Sequence, residues 1–294
     1  MLQQCVRWFL RSGLRGRGRL VSLLARTARR LQCVPVQIRS CQDVFVDLRY
    51  ASSQGLFAGS PWETSPAESG EQVLMAHIVR EGERVFDIGA NIGLHTIWLS
   101  RLVGPRGLVF AFEPNPKLLR CLHQTVAGLS NARLFPFALS DATGKTEFYL
   151  PRDHALGSLA DWTRGRVREK ATRLSCEQRT VDELVQRQIL AVPEFIKCDV
   201  EGAELKVFRG ARESFNRTAA PIILFESNVY TSAGFGISNT DARAFLASLP
   251  QPQYEFFSII ETGELADLTT PHAHANLLAV PRSKMSRIEE LRRP

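Results

Sequence analysis

Arg84-Val-Phe-Asp-Ile-Gly-Ala-Asn-Ile-Gly-Leu-His-Thr96 is the stretch that decides the fold of this chain. Its first apolar residues end in Asp87, and this pattern predicts a short buried strand. Gly89 and Gly93 then bracket a turn, because glycine accepts backbone conformations that other residues avoid. Leu94 to Val103 has the composition of a helix. The order strand, glycine turn, helix is the start of an α/β unit.

A second apolar strand follows this helix. Leu108 to Phe112 runs directly into Glu113. In open α/β sheets, ligands bind at the carboxyl ends of the strands, where such an acid lies. A carboxylate at this place can accept hydrogen bonds from two hydroxyl groups, as a ribose presents them. The two strands together predict the first half of a nucleotide-binding sheet.

The detail of the turn separates two kinds of cofactor. A dinucleotide site uses G-x-G-x-x-G, in which the second glycine admits a pyrophosphate. Here that position is not glycine, since the turn reads Gly89-Ala-Asn-Ile-Gly93. A ligand with a ribose and no phosphate, such as S-adenosylmethionine, fits better than a nicotinamide dinucleotide. A cofactor-binding titration separates the two, and an α/β turn with convenient glycines and no ligand is the plain alternative.

Three further predicted strands also end in acids. Arg133 to Leu139 leads to Ser140 and Asp141, and Pro221 to Phe225 leads to Glu226. Between them, Phe195-Ile-Lys-Cys-Asp-Val-Glu-Gly-Ala-Glu204 places three acids just beyond a short strand. Carboxylates crowded at one strand end suit a general base, a metal site or a hydroxyl clamp. The alternative is the ordinary enrichment of acids at a helix N-terminus.

At this point the motifs resemble the FkbM family of S-adenosylmethionine-dependent methyltransferases. The resemblance covers about residues 85–281 and rests on four runs: Phe86–Gly93, Phe112–Pro116, Ala138–Asp141 and Ile196–Glu204. It implies an α/β, Rossmann-like class I methyltransferase fold. The sheet would be seven-stranded and mostly parallel, with an antiparallel last strand and helices on both faces. It also implies O-methylation of a hydroxyl on a sugar, glycan or secondary metabolite.

The resemblance also assigns roles by position. Gly89 and Gly93 would flank the methionine part of the cofactor, Glu113 would hold the ribose, and Asp141 would lie beside the adenine. Asp199 would stand by the transferred methyl group. The full set of candidate cofactor-binding residues is Asp87, Gly89, Asn91, Gly93, Glu113, Ser140 and Asp141.

The expected chemistry needs help with a proton, because a sugar hydroxyl is weakly acidic. Asp199 is the first candidate for the base, with His154 or Glu226 behind it. A divalent metal held by Asp199 and other carboxylates is the open alternative. His154 lies in a polar, basic insertion at residues 151–171, which we expect to face the acceptor. The histidines 272 and 274 are expected to be exposed loop residues.

The positive charge of the chain is concentrated at its start. Residues 1–42 contain nine arginines and no acid, so the net charge of +7 becomes −2 once they are set aside. A nucleic-acid groove across the domain is therefore not supported. Arg19 to Leu31 predicts a basic amphipathic helix, which suits peripheral contact with the inner face of an anionic membrane through residues 1–40. A solvated arm is one alternative, and a mitochondrial presequence is another if the source is a eukaryote.

These patterns divide the chain into four segments. We expect a basic leader at 1–42, a cover over the cofactor pocket at 43–83, a methyltransferase domain at 84–282 and a charged tail at 283–294. Ala51 to Gly70 is rich in Ser, Gly and Pro and predicts a loop. The six cysteines form no C-x-x-C pair and match no zinc module, so reduced thiols are expected in a cytoplasmic protein. A catalytically inactive, membrane-attached binding module is the alternative to an enzyme.

Overall fold

The computed structural model describes residues 1–38, 42–59, 66–151, 156–163, 171–268 and 272–292. The strands are β1 (Val34–Gln37), β2 (Asp43–Val46), β3 (Arg84–Ile88), β4 (Leu108–Phe112), β5 (Ala132–Phe135), β6 (Ala138–Leu139), β7 (Gly144–Leu150), β8 (Thr172–Arg179), β9 (Phe195–Cys198), β10 (Ile222–Asn228), β11 (Tyr254–Ile259), β12 (Leu265–Asp267) and β13 (His274–Pro281).

The helices lie mainly between these strands. They are α1 (Leu2–Arg11), α2 (Arg17–Thr27), α3 (Ala51–Ala58), α4 (Pro66–Ile78), α5 (Leu94–Val103), α6 (Leu119–Ala127), α7 (Val181–Gln186), α8 (Glu204–Arg209), α9 (Arg212–Phe215), α10 (Val229–Ala233) and α11 (Asp241–Ala247). Short 3₁₀ helices cover Arg29–Leu31, Arg282–Arg287 and Glu289–Leu291. Within the described ranges, no helix is both long and apolar enough to cross a bilayer.

The central sheet has the order β12-β11-β13-β10-β9-β3-β4-β5. The neighbours β10, β9, β3, β4 and β5 pair in parallel. Strand β13 runs antiparallel to both β10 and β11. This confirms the predicted mostly parallel sheet with its antiparallel last strand. The short β12 adds an eighth strand at the edge, where it pairs with β11 as a hairpin. The chain leaves β3 toward β4 on one side and returns to β9 on the other, so β3 lies at the switch point where α/β folds bind ligands.

Two apolar clusters cover the two faces of this sheet. Neighbouring residues of β3 alternate between them: Val85 packs with α4 and α5, whereas Phe86 packs with α8 and α11. This alternation is the period of two that a strand requires. Because both faces are covered, the parallel strands are mainly apolar, as expected for a buried parallel sheet, and Asp87 and Lys197 are buried polar exceptions. The predicted helices on both faces are thereby confirmed.

A second sheet follows the third strand of the central one. Its order is β6-β8-β7, and β7 and β8 pair antiparallel. The insertion between them lies partly outside the described residues, because 152–155 and 164–170 are not described. His154 is therefore a candidate on which the structure is silent.

The segment from 51 to 70 differs from its predicted loop. Its first part is helix α3, which ends at Gly59 with a φ of 87°, and α4 begins at Pro66. The Ser and Gly content of α3 is unusual for a helix, and tertiary contacts stabilise it. Phe57 is buried, and the Gln54 amide donates to the carbonyl of Leu48, the carbonyl of Gly18 and the hydroxyl of Ser22.

The leader is not a free arm. Val6, Leu10, Val21, Ala25 and Leu31 are buried in one cluster, which also contains residues of α5 and the end of α6. Helix α1, which the sequence did not predict, packs on α3, where the guanidinium of Arg11 donates to the carbonyl of Ala58 over 2.6 Å. Helix α2 is the predicted amphipathic helix, but it ends at Thr27, and a 3₁₀ turn follows it.

Candidate functional site

A cavity of about 480 Å³ opens at the carboxyl ends of β3, β4 and β9. This volume is in the range of small-molecule sites. Its floor is the Gly89–Asn91 turn, and Glu113 and Asp199 line it from the neighbouring strands. Helix α3 and the residue before it, Tyr50, form one wall, so residues 50–56 of the expected cover lie against the cavity. Phe137 and Leu139 line it beyond β4.

Gly89 fits the turn for a steric reason. Its φ is +83°, and a Cβ built on it would lie 1.9 Å from the carbonyl oxygen of Asp199. The amides of Gly89 and Ala90 both donate to the carbonyl of Phe112 at 3.0 Å. The backbone of three adjacent strand ends therefore meets at this turn with no room for a side chain. Any ligand over the turn would contact main chain directly.

Glu113 is held in place by the backbone around it. Its two carboxylate oxygens accept from the amide of Asn91 at 2.9 Å and the amide of Asn115 at 2.8 Å. Burial raises the pKa of Glu113, and the two amide hydrogen bonds lower it. The negative charges of Asp87 and Asp199 raise it further, and the resulting pKa is about 7. The remaining lone pairs of this carboxylate can accept from a ribose diol.

Gly93 and Asp87, two of the predicted cofactor-binding residues, lie outside the cavity wall. Asp87 is fully buried, and its Oδ2 accepts from the hydroxyl of Thr96 at 2.6 Å. It therefore ties β3 to the start of α5. Gly93 has a φ of +92°, and a Cβ there would meet the side chains of Thr125 and Leu122 on α6. Both support the turn from behind and do not line the cavity, and their part in cofactor binding stays a prediction.

Ser140 and Asp141, two further predicted cofactor-binding residues, do not line the cavity either, and their role stays a prediction. The Asp141 carboxylate accepts from Nζ of Lys206 at 3.0 Å, away from the cavity. Ser140 is buried and donates to Asp141. Residue 140 follows β6, which pairs with β8 outside the central sheet, and both residues of β6, Ala138 and Leu139, line the cavity. The apolar side chains of Phe137 and Leu139 line the cavity at the place where an adenine was expected.

Asp199 and Lys197 form an ion pair at the cavity floor. The Lys197 ammonium is buried and lies 2.9 Å from Oδ2 of Asp199, whose side chain is 42% exposed. Burial alone would raise the pKa of Asp199, but the charge and hydrogen bond of Lys197 outweigh it, and the pKa is lowered. Burial would lower the pKa of Lys197, but Asp199, Asp87 and Glu71 reverse this and raise it. Asp199 is thus ionised at neutral pH.

The two glutamates that follow have different surroundings. Glu201 lines the cavity with a φ of 53°, and burial with the charges of Asp199 and Glu226 raises its pKa to about 9. Glu204 is buried and accepts from the amide of Val200 at 3.1 Å. Burial and the charge of Glu226 raise its pKa to about 8. Glu204 therefore holds the turn together, whereas a neutral Glu201 can donate a hydrogen bond into the cavity.

His95 is a cavity residue that the sequence reasoning did not single out. It is the second residue of α5, and its Nε2 lies 3.5 Å from Oε2 of Glu71 on α4. Glu71 is buried, and its carboxylate also accepts from the side-chain amide of Asn276 on β13. The available signal was position alone, since the start of a helix after a glycine turn always lies at the ligand-binding edge.

Glu226 and His274 lie one strand farther along the edge. Nε2 of His274 is 2.8 Å from Oε1 of Glu226, and this hydrogen bond raises the pKa of His274. Oε2 of Glu226 is buried and has no hydrogen-bond partner among the described residues. His274 is exposed, as predicted, but it begins β13 and does not lie in a loop, and the antiparallel β13 places it at the carboxyl edge of the sheet. Neither residue lines the cavity itself.

Metal ligands were an open alternative for the carboxylates. In the part of the chain that the structure describes, no group of three or more His, Cys, Asp or Glu side chains is arranged to hold a metal ion. The Asp199 carboxylate is engaged by Lys197 instead.

Sheet order, glycine turn and strand-end acids together define a Rossmann-like, class I methyltransferase fold. Residues 87–256 match the model of the methyltransferase FkbM domain. Since this match covers more than half of the chain, the chain belongs to the FkbM methyltransferase family.

Curated relatives share part of this chain. The chain is 28% identical over 147 residues to the 2-O-methyltransferase NoeI of Sinorhizobium fredii, covering 46% of this chain and 59% of that protein. It is 28% identical over 165 residues to the hexuronic acid methyltransferase AglP of Haloferax volcanii, covering 54% of this chain and 64% of that protein. The chain therefore spans less than two thirds of either relative.

Solved structures with similar chains include a SAM-dependent methyltransferase from Aquifex aeolicus. The identity is 13% and the TM-score 0.43, with 74% of this chain and 92% of that chain covered.

Proposed function

We propose that this protein transfers a methyl group from S-adenosylmethionine to a hydroxyl of a sugar, a glycan or a secondary metabolite. The observation that carries the proposal is the pair of carboxylates in one cavity. Glu113 is oriented by two backbone amides, and Asp199 is kept ionised by Lys197. The first suits a ribose, and the second suits the proton of an acceptor hydroxyl. The names of the two curated relatives, a 2-O-methyltransferase and a hexuronic acid methyltransferase, support the acceptor class.

The residues present fit the cofactor. The turn at Gly89 presents bare main chain, Glu113 offers free lone pairs toward the cavity, and Phe137 and Leu139 offer an apolar surface for a base. S-adenosylmethionine, when bound, supplies an already activated methyl group. The remaining task of the protein is to align the acceptor oxygen and to take its proton.

Asp199 is the residue that we assign to the acceptor hydroxyl. Its ionised carboxylate accepts a hydrogen bond from the hydroxyl. It can receive the hydroxyl proton as the acceptor oxygen shares a lone pair with the methyl carbon. Lys197 keeps Asp199 charged and oriented. Neutral Glu201, on the same wall, can donate to a second hydroxyl of a sugar, which would fix the position that is methylated. Glu226 with His274 would act farther out, on a larger acceptor.

We further propose that the chain works in the cytoplasm, in peripheral contact with the inner face of a membrane through residues 1–40, or in mitochondria if the source is a eukaryote. The support is the leader of nine arginines without an acid. The 1–42 and 43–83 boundaries are proposed as functional divisions only, since the leader and the cover share a hydrophobic cluster with the domain.

The test is a screen of sugar, glycan and polyketide acceptors for release of S-adenosylhomocysteine, run with and without EDTA. Acceptor-dependent release that resists EDTA supports transfer with Asp199 as the base. Release that EDTA abolishes and Mg²⁺ restores supports the metal alternative. Tight cofactor binding without release for any acceptor supports the inactive binding module.

A further inference from the structure

The amphipathic helix α2 is inserted with its leucines outward. Its core-facing side consists of small residues, since Val21 and Ala25 are buried and Gly18 and Ser22 contact the Gln54 side chain. Leu20, Leu23 and Leu24 are 58%, 61% and 42% exposed. None of these three leucines belongs to an apolar cluster of the described residues, whereas Leu31, at the end of the predicted helix, is buried.

The positions of the arginines follow from helix geometry. Successive residues of an α-helix are about 100° apart around its axis. Leu20, Leu23 and Leu24 therefore form one stripe opposite Gly18 and Ser22. Arg19 and Arg26 lie on one side of this stripe, and Arg17 lies on the other. An apolar stripe between two basic borders is the pattern of a helix that lies in a membrane interface, with arginines reaching the lipid phosphates.

We propose that the leucine stripe of α2, with its bordering arginines, docks this protein on an anionic lipid bilayer. Charge complementarity selects this partner. Residues 1–42 contain no acid that could neutralise the arginines of a second copy, so stacking two such faces would bring like charges together. Anionic phosphates meet the same arginines favourably. The exposed Trp8 on the neighbouring α1 is a further side chain of the type that settles at interfaces.

Docking on this stripe leaves the fold intact and brings the cavity near the bilayer. The stripe faces away from the side that contacts Gln54, so α2 lies between the lipid and α3. Helix α3 lines the cavity through Ser52, Ser53, Gly55 and Leu56. Neighbouring helix axes are about 8–10 Å apart. The cavity wall is therefore held within about two helix layers of the membrane, so that acceptors carried by membrane lipids come within reach.

The docking surface rests on the peripheral contact proposed above, and it can be tested without any acceptor. The full chain is incubated with phosphatidylcholine vesicles, with or without phosphatidylserine, and bound protein is measured by flotation. We expect binding only with phosphatidylserine, and weaker binding at high salt. Leu20→Ser/Leu23→Ser/Leu24→Ser should lower the partition coefficient roughly a hundred-fold or more, through lost apolar burial. Arg19→Gln/Arg26→Gln should lower it by about five-fold per arginine.

The control is Ile189→Ser, which removes an apolar side chain that is 48% exposed outside the leader. It should bind vesicles like the wild type. Affinity for S-adenosylmethionine, measured by calorimetry, should be the same in all variants, which separates lost docking from lost folding and from the proposed catalysis. Wild-type flotation that the triple leucine variant retains would overturn the proposal. So would a wild-type dimer in sedimentation velocity that the triple variant converts to monomer without any vesicle binding.

Discussion

Single residues decide which carboxylates take part in binding and which hold the fold. Glu113, Asp87, Asp141 and Asp199 were all predicted from the same pattern, an acid at the end of a strand. Their neighbours separate them: Glu113 and Asp199 face the cavity, Asp87 is bonded to Thr96, and Asp141 is paired with Lys206. The Asp141 carboxylate is already paired with a lysine outside the cavity, so it is poorly placed to bind a ligand inside the cavity.

Glu113→Ala should weaken S-adenosylmethionine binding by about 1–3 kcal/mol, the usual cost of leaving polar partners unpaired. Calorimetry measures it, and Glu255→Ala on the exposed side of β11 is the matched control. Because the pKa of Glu113 is about 7, its carboxylate is increasingly ionised from pH 6 to pH 8. A ribose diol donates to the ionised form, so affinity should rise over this range and stay flat in Glu113→Gln. Unchanged affinity in Glu113→Ala would remove this residue from the site.

Asp199→Asn should lower kcat by about 10²–10⁴ and leave cofactor affinity nearly unchanged, since an amide cannot take the acceptor's proton. Asp267→Asn, an exposed acid on β12, is the control. The pKa of Asp199 is lowered, so its ionisation should limit the wild-type rate only in acid, and near-neutral rates should be insensitive to it.

Lys197→Gln extends this experiment. Without the ammonium, the two largest effects that lower the pKa of Asp199 are lost, so burial should raise its pKa relative to the wild type. The acid limb of the kcat profile should then move to higher pH. Full turnover in Asp199→Asn would shift the chemistry to His154, His95 or the Glu226–His274 pair.

At the scale of elements, the glycine turn after β3 is the feature on which the site depends. Gly89→Ala should lower the melting temperature and abolish cofactor binding, because the new methyl group would lie 1.9 Å from the Asp199 carbonyl oxygen. Gly82→Ala is a suitable control, since Gly82 has a φ of +86° and nothing within 4 Å of the added Cβ. It should show only the backbone cost, about 1–3 kcal/mol. Equal effects of the two substitutions, measured by urea unfolding, would mean that strain rather than the close approach matters.

The whole molecule should respond to pH through its crowded acids. The pKa values of Glu113, Glu204 and Glu201 are raised to about 7, 8 and 9 in the fold, above their value of about 4.5 in an unfolded chain. Between pH 5 and pH 8 the folded state therefore holds more protons than the unfolded state, and stability falls as pH rises. His274, whose pKa is also raised, changes stability in the same direction.

We expect the melting temperature of the cofactor-free protein to decrease steadily from pH 5 to pH 8. Glu201→Gln should make this decrease shallower, because a neutral amide has no proton to lose. Differential scanning fluorimetry over this range measures both slopes. A melting temperature that rises toward pH 8 in the wild type would show that these carboxyls are already ionised in the folded protein.

The sequence by itself determined where the central strands lie along the chain, the glycine turn and the acids at the strand ends. These follow from local rules, since an apolar run that ends in an acid and a glycine turn has few other foldable arrangements. It also determined the leucine stripe of α2, although not the direction in which that stripe faces.

Only the tertiary structure decided what those residues contact. The helix at 51–58 exists because Gln54 and Phe57 are held by the leader, and composition alone predicts a loop there. Asp141 is paired with Lys206 and does not line the cavity, and His274 lies at the carboxyl edge because β13 runs antiparallel. Each depends on a partner tens of residues away in the chain. Local sequence patterns carry no information about such partners, so the packing of the whole chain determines which acids remain free to bind.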